Sequence, residues 1–168
     1  MTHTRPRWTI IDGNNLMHAD PELAAARRRD FQSARLMLIR RLEAIFAQAD
    51  GPVTVVFDSL TPKTFTGFEG SSLDVRFSEP GAGSDALIER LVHADPEPAR
   101  ITVITSDAVE RRVVDAAGAM SISCRMYLSQ LGHDREEFAG RVQRAAGKTL
   151  KPSLGELWSQ KQAGEKGK

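Results

Sequence analysis

The stretch TIIDGNNLMHA (Thr9 to Ala19) is the starting point for interpreting the chain. An apolar, largely β-branched run ends on Asp12 and is followed by Gly13 and two asparagines. β-Branched apolar residues favour buried strands, whereas glycine and asparagine are typical of turns. The stretch therefore predicts a buried strand from Trp8 to Asp12 that runs into a turn, with an acid at the end of the strand.

Strand and helix patterns alternate along the remaining chain. β-Branched or alternating apolar runs predict further strands at Pro52–Asp58, Leu73–Ser78, Arg100–Thr105 and Ser121–Tyr127. Helical spacing of apolar residues predicts helices at Asp30–Ala49, Ser84–His93, Ala108–Ala117 and Asp134–Ala146. This order is typical of an α/β protein with a mostly parallel sheet covered by helices on both faces. In such sheets ligands bind outside the carboxyl ends of the strands, where the strand order reverses.

Composition bounds the class of protein. The chain has 168 residues, of which 40% are hydrophobic and 27% charged, a balance that suits one folded domain. Cys124 is the only cysteine, which excludes an internal disulfide and a cysteine-cluster zinc site. No apolar run approaches the roughly 20 residues of a membrane span, and the start of the chain does not resemble a signal peptide. We expect a soluble, cytoplasmic protein without membrane contact.

The charges are balanced in number but uneven in position. The formal net charge is +1, which does not by itself indicate nucleic-acid binding. Basic residues nonetheless cluster at Arg27–Arg29, at Arg40 and Arg41, and from Lys148 to the last residue, Lys168. We expect one domain over residues 1–146 and a basic C-terminal tail over residues 147–168. Basic clusters around an acidic centre would suit a polyanionic substrate.

Acidic residues follow the predicted strands. Asp12, Asp58 and Asp107 lie at or just beyond strand ends, while Asp85 begins the helix after the third strand and Glu89 follows one turn later. Carboxylates that converge in one cleft repel each other unless a cation neutralises them. Oxygen ligands of this kind suit Mg²⁺ or Mn²⁺, which lowers the pKa of bound water and neutralises charge on a phosphate. The pattern therefore indicates hydrolysis of phosphate esters.

Each acid also has a purely structural interpretation. Ser84 and Ser106 are candidate N-caps, and Asp85 or Asp107 directly after a cap would be stabilised by the helix dipole. The coincidence of several acids at one rim, rather than any single acid, favours a site.

Asn14 and Asn15 have two interpretations. They are ordinary turn residues, or they hold a water or a phosphate oxygen near the metal without adding negative charge. The sequence leaves open which of the two asparagines would face the metal.

Four segments carry a resemblance to a known family. IIDGNNLMH, VTVVFDS, GAGSDALIERLV and ITVITSDAVERRVV, which together cover most of residues 8 to 117, resemble the NYN branch of the PIN-like nucleases. More narrowly, the chain resembles the YacP-like family of bacterial ribonucleases. The resemblance implies a three-layer Rossmann-like PIN/NYN fold with a mostly parallel central sheet and a divalent-metal site. It also implies endonucleolytic cleavage of RNA, in some members on translating ribosomes.

Site residues follow from this resemblance position by position. Asp12, Asp85 and Asp107 match the acidic metal-binding positions, and Asp58 matches an acid found after the second strand. One asparagine of the DGNN segment matches the polar residue of the first motif. The loop SEPGAGS before Asp85 departs from the family, whose members often carry a polar pair such as Glu-Thr there.

The leading hypothesis is an endoribonuclease that depends on Mg²⁺ or Mn²⁺. Asp58 or Glu89 would be an outer ligand or position water, and Arg111 and Arg112 would grip phosphates of the RNA. The alternative is an RNA- or ribosome-binding module with a weak or unused nuclease site. A small-molecule phosphatase of the haloacid-dehalogenase type is disfavoured because position 14 is Asn rather than Asp. Dinucleotide binding is disfavoured because no Gly-x-Gly-x-x-Gly turn follows the first strand.

Overall fold

The computed structural model describes residues 6–59 and 68–148, with side chains up to residue 144. These residues form the strands β1 (Trp8–Asp12), β2 (Val53–Phe57), β3 (Asp74–Phe77), β4 (Ile101–Ile104) and β5 (Met120–Ile122). The helices are α1 (Gly13–Ala19), α2 (Pro21–Arg29), α3 (Phe31–Ile45), α4 (Gly83–Ala94), α5 (Ala108–Ala116) and α6 (Cys124–Lys148). A short 3-10 helix, Pro98–Arg100, leads into β4. Among the helices of this part of the chain, none combines the length and apolar character that a membrane crossing requires.

The five strands form one parallel sheet in the order β3-β2-β1-β4-β5. The chain builds outward from β1 to the edge strand β3, then crosses back to β4 on the other side of β1. Because parallel crossovers are right-handed, these two directions of growth place α1–α3 and α4 on opposite faces of the sheet. The α/β fold with a parallel sheet and helices on both faces, predicted from the sequence, is confirmed.

The core on the α4–α5 face is built from side chains of the two helices and from every second residue of the strands. Its buried members are Ile10, Val56, Leu87, Ile88, Val92, Ile101, Val103, Val114 and Ala119. Successive strand residues point to opposite faces, so Ile11, Val55 and Phe57, all fully buried, belong to the α1–α3 face. Burying one such side chain contributes about 1.5–3 kcal/mol, and this packing holds the carboxyl ends of β1 and β4 in place.

Aspartates begin four of the helices. Asp12, Asp20, Asp30 and Asp107 are the N-caps of α1, α2, α3 and α5, and each accepts hydrogen bonds from backbone N–H groups of the first turn. Such caps satisfy donors that have no partner within the helix. The predicted N-caps Ser84 and Ser106 are wrong. The residue before α4 is Ala82, without a side-chain cap, and α5 is capped by Asp107.

The turn expected after Asp12 is instead the first turn of a helix. Gly13 opens α1, so the residues that favour turns here begin a helix under an aspartate cap. Gly13 is required by close packing, because a Cβ at this position would lie 2.7 Å from Cδ1 and 2.9 Å from Cζ of the buried Phe57 ring. The backbone of α1 therefore rests directly on the end of β2.

Further elements differ from the sequence-based prediction. The helix predicted over Asp30–Ala49 is α3, but α1 and α2 precede it and were not predicted. The strand predicted over Ser121–Tyr127 ends at Ile122, because the Ser123 hydroxyl accepts a hydrogen bond from Met126 N at 3.2 Å and caps the start of α6. The helix predicted at Asp134–Ala146 is the later part of α6.

The chain divides into two compact units, Met1–Leu128 and Ser129–Lys168. The first contains the sheet and α1–α5, and the described part of the second is the helical segment up to Lys148. The domain limit at residue 146 stays a prediction. The basic tail predicted over residues 147–168 lies outside the described residues apart from the end of α6.

Candidate metal centre

Three carboxylates meet at the carboxyl edge of the sheet. Asp12 is the last residue of β1, Asp85 is the third residue of α4, and Glu110 is the third residue of α5. One carboxylate oxygen from each lies within 4.8 Å of the other two. The cluster stands beside β1, where the strand order reverses, which is the position at which open parallel sheets bind ligands.

Asp12 is fixed by its neighbours. Its side chain is fully buried, and Oδ1 accepts a hydrogen bond from the Asn15 backbone N–H at 2.9 Å. Oδ2 accepts hydrogen bonds from Asn15 Nδ2 at 2.6 Å and from the Ser84 hydroxyl at 3.3 Å. Because Ser84 precedes Asp85, the last contact joins the end of β1 to the first turn of α4.

Glu110 is the second buried acid of the cluster, whereas Asp85 is exposed. Its side chain is 2% exposed, and neither carboxylate oxygen has a hydrogen-bond partner among the described residues. Burial raises the pKa of Glu110 to about 8, and the negative charges of Asp12, Asp85 and Asp107 add to the rise. The Thr105 hydroxyl is close enough to oppose the rise, but its geometry is not that of a hydrogen bond. An unsatisfied buried carboxylate is costly and rare in folded proteins. Both oxygens are therefore free to bind a cation.

The electrostatics of the cluster support the same interpretation. Burial raises the pKa of Asp12, with Asp85 and Asp58 adding to the rise, while hydrogen bonds from Asn15 oppose it. Burial also raises the pKa of Asp85, helped by its acidic neighbours. A divalent cation would relieve this repulsion, and three hard oxygen donors, one of them on the exposed Asp85, suit Mg²⁺ or Mn²⁺. The residues present fit such an ion.

Asp107 lies beside the cluster and caps α5. Its Oδ1 accepts hydrogen bonds from Val109 N at 2.7 Å and from Glu110 N at 3.1 Å. Its charge raises the pKa of both Asp85 and Glu110. Asp107 thus sets the backbone position of Glu110, and its role as a metal ligand stays a prediction.

Asp58 connects the first turns of two helices. Its Oδ2 accepts a hydrogen bond from Asn14 Nδ2 at 2.8 Å, and its Oδ1 accepts one from the Ser84 backbone N–H. Both carboxylate oxygens are therefore engaged by protein donors. The Asn14 amide oxygen is buried and has no hydrogen-bond partner within the described part of the chain.

A buried arginine supports Asp58 from the other side. Arg35 of α3 is fully buried, and its Nη2 donates a hydrogen bond to the Asp58 carbonyl at 2.8 Å. Its guanidinium lies 4.2 Å from the ring centre of Phe31, 5.1 Å from Phe57 and 5.3 Å from Phe77. Arg35 thus connects α3 to the ends of β2 and β3.

The remaining predicted site residues lie on α4 and α5, the helices that carry Asp85 and Glu110. Glu89 is half-buried on α4, one turn after Asp85, and its charge contributes to the raised pKa of Asp85. Arg111 and Arg112 follow Glu110 on α5, where Arg111 is half-buried and Arg112 is exposed. The functions predicted for these three side chains stay predictions.

Cys124 is a neutral neighbour of the cluster. It begins α6, is fully buried and forms no disulfide. Burial raises the pKa of its thiol to about 11, and the charges of Asp12 and Glu110 add to the rise. The thiol therefore stays protonated and adds no charge beside the carboxylates.

Glu110 was not identified from the sequence. An acid three residues after an N-cap aspartate is typical of ordinary helix starts, and Asp107 lies nearer the end of the strand. The sequence feature that could have identified Glu110 is its position in its helix. Asn15, Asp85 and Glu110 are each the third residue of a helix that follows a strand, β1, β3 and β4 respectively.

Comparison with known proteins places the chain in a family. A sequence profile described as the YacP-like NYN domain matches residues 9–166, nearly the whole chain. The chain belongs to the YacP-like NYN domain family. The resemblance found in the sequence is therefore confirmed, and membership implies a nuclease-type fold.

Relatives of this family in Bacillus subtilis agree with the assignment. The protein named "Uncharacterized protein YacP" is 28% identical over 137 residues, which cover 80% of this chain and 81% of the relative. A crystal structure of a variant of Rae1 (YacP) superposes with a TM-score of 0.68 at 25% identity, over 86% of each chain. A second crystal structure of Rae1 (YacP) gives 0.64 at 24% identity, over 94% of this chain and 90% of the other. The second likeness concerns the fold alone.

Proposed function

We propose that the protein is a divalent-metal-dependent endoribonuclease in which Asp12, Asp85 and Glu110 hold Mg²⁺ or Mn²⁺. The observation that carries the proposal is the convergence of the three carboxylates within 4.8 Å around a buried Glu110 without hydrogen-bond partners. The nuclease-type fold of the YacP-like NYN domain family supports RNA as the substrate. Action on ribosome-bound RNA and a cytoplasmic location remain expectations from the sequence.

Each site residue has a defined task in this proposal. A bound metal ion supplies polarisation of a phosphate oxygen and activation of water. Asn15 and Ser84 hold the Asp12 carboxylate in place through hydrogen bonds. Asp107 fixes the first turn of α5 and with it Glu110.

The outer residues bind and orient the substrate or its water. Glu89 and the Asn14 amide oxygen would accept hydrogen bonds from water. Neither group would bind the metal ion directly. Asp58 holds the first turns of α1 and α4 through its hydrogen bonds and would also position water near the metal ion. Arg111 and Arg112 would contact phosphates next to the cleaved bond, where guanidinium groups form charge-assisted hydrogen bonds.

The test is cleavage of a structured and a single-stranded RNA in the presence of Mn²⁺. Glu110→Gln and Asp85→Asn should each reduce the rate by more than about 100-fold, since even outer-shell losses cost up to that much. Glu97→Gln is the matched control, because Glu97 is exposed and precedes β4 at the opposite edge of the sheet. Undiminished cleavage by both site variants would contradict the proposal. RNA binding without any cleavage by the wild type would favour the binding-module alternative.

Asp107→Asn separates a ligand from a cap. Asparagine caps helices about as well as aspartate, so this variant should keep its stability while losing the charge beside the cluster. If Asp107 is a further ligand, Mn²⁺ affinity measured by calorimetry should fall more than about tenfold at unchanged melting temperature. Unchanged affinity would restrict Asp107 to capping and leave the site to the other three acids.

A further inference from the structure

A basic groove lies between the end of α1 and α2. It has a volume of about 380 Å³ and is lined by His18, Ala24, Arg27 and Arg28. Three of these four side chains carry N–H donors, and both arginines are exposed. We call this feature the α1–α2 groove.

The arginines of the groove are not neutralised by any residue in the described part of the chain. Among the described residues, neither Arg27 nor Arg28 forms a salt bridge. The Arg27 guanidinium instead lies 5.2 Å from the ring centre of Phe31, which limits its motion. By contrast, Arg41 lines a separate groove on α3 and forms salt bridges with Asp20 and Glu22. Guanidinium groups with unused donors are well suited to phosphate oxygens.

His18, which lines the α1–α2 groove, lies on the side of α1 that faces the acid cluster through Asn14 and Asn15. Asn14 and Asn15, in the first turn of α1, contact Asp58 and Asp12 through their side chains. His18 is four residues after Asn14 and three after Asn15, so it shares their side of the helix. Four residues span about 6 Å along a helix axis. The groove is therefore one helical turn from the residues that surround the metal.

We propose that the α1–α2 groove binds the phosphate backbone of the RNA strand next to the cleaved bond. This inference rests on the proposed function, since it assumes that the acid cluster acts on RNA. Arg27 and Arg28 contact phosphate oxygens, and His18 lies between them and the metal centre. The contacts are with the backbone alone, so the groove aligns the strand without selecting a base sequence.

The experiment measures RNA binding apart from cleavage. Fluorescence anisotropy follows a labelled single-stranded RNA of about 12 nucleotides, within the usual range of single-strand sites, added to the full chain in EDTA. Arg28→Gln is compared with Arg29→Gln, because Arg29 is an exposed arginine of the same helix turn that does not line the groove. Titrations are run from roughly 50 to 200 mM salt.

Arg28→Gln should weaken binding several-fold and reduce the slope of log K against log salt by about 0.7, the value for one lost phosphate contact on a single strand. Arg28→Lys should restore most of the salt dependence of binding, because a positive charge at this position still contacts a phosphate. Arg29→Gln should behave like the wild type. Mn²⁺ should raise the melting temperature of all four proteins equally, which separates a failure of the groove from a failure of the metal site.

Three results would overturn the inference. Equal loss of affinity and slope in Arg28→Gln and Arg29→Gln would assign the effect to general electrostatic attraction. A lower melting temperature of Arg28→Gln at unchanged affinity would assign Arg28 to stabilising the C-terminal end of α2, where cations suit the helix dipole. Wild-type protein that does not bind the RNA would exclude the groove as a binding surface.

Discussion

At the scale of single residues, Glu110 determines the chemistry of the acid cluster. Its carboxylate is buried beside Asp12 and Asp85, and its pKa is raised to about 8. At neutral pH the metal-free protein therefore keeps this carboxyl group protonated. A metal ion that binds there must displace the proton, which couples metal affinity to pH.

Mn²⁺ binding should release about one proton at pH 7, because Glu110 passes from the protonated to the ionised form when it becomes a ligand. Affinity should rise with pH up to about 8 and then level off, since the competing proton is absent above the pKa. Calorimetry in two buffers of different ionisation enthalpy measures the released protons. Equal proton release at pH 7 and well above pH 8 would contradict the assignment of Glu110 as a ligand.

Glu110→Gln should change how the stability of the metal-free protein depends on pH. The native pKa of about 8 lies above the ordinary value of 4.5, so the contribution of Glu110 is most favourable below 4.5. It is lost as pH rises through 8. The stability of Glu110→Gln relative to wild type should therefore increase between these pH values, by at most about 1.4 kcal/mol per pH unit.

Urea unfolding in EDTA at several pH values measures this difference. Glu97→Gln is the control and should keep the wild-type dependence, because Glu97 is exposed. A constant stability difference between Glu110→Gln and wild type across this range would show that the native pKa of Glu110 is not raised.

At the scale of elements, the site is an arrangement of helix first turns. Asp58 accepts hydrogen bonds from Asn14 of α1 and Ser84 of α4, so one carboxylate joins the two helices that flank Asp12. Arg35 holds the backbone of Asp58 from α3. The spacing of the acid cluster therefore depends on Asp58, although both of its carboxylate oxygens already accept hydrogen bonds from the protein.

Asp58→Asn should lower the free energy of unfolding by about 1–3 kcal/mol, since an amide nitrogen would face one of two donors and leave it unsatisfied. Mn²⁺ affinity should fall less than in Asp85→Asn, because the ligands remain and only their spacing relaxes. Unfolding in urea and calorimetric titration give the two quantities. A loss of affinity as large as that of Asp85→Asn at unchanged stability would make Asp58 a ligand instead.

Most elements could be predicted because their apolar periodicity is strong. β1, β2, β4, α4 and α5 follow patterns that depend on neighbouring residues only. The segments α1 and α2 could not be recognised, because Asp12-Gly13 and Asp20-Pro21 begin helices with the same residues that begin turns. The apolar pattern of Ser121–Tyr127 predicted a strand over the whole segment. The strand ends at Ile122 because Ser123 caps the start of a helix.

At the scale of the whole molecule, strand order brings the acids together. α4 starts after the edge strand β3 and crosses to β4 on the far side of β1, so its first turn reaches Asp12. α5 starts after β4, the other neighbour of β1, and supplies Glu110. Residues almost one hundred positions apart in sequence thus meet beside one strand, and a bound ion would link β1, α4 and α5.

Metal binding should accordingly stabilise the folded protein as a unit. Mn²⁺ at about 100 times its Kd should add about 2.7 kcal/mol to the free energy of unfolding, and EDTA should reverse the gain. Thermal and urea unfolding measure the effect, which Glu110→Gln should abolish and Glu97→Gln should keep. A stabilisation that persists in Glu110→Gln and Asp85→Asn would place the ion elsewhere in the protein.

The sequence by itself determined the parallel α/β sheet, the buried β1 that ends on Asp12, and the acids at the strand ends, because periodicity and strand-end chemistry are local properties. Only the tertiary structure decided that Glu110 joins Asp12 and Asp85, while Asp107 caps α5 and Asp58 joins two helices. The physical reason is that an acid's role depends on its burial and its hydrogen-bond donors. Both come from elements distant in sequence that the strand order assembles.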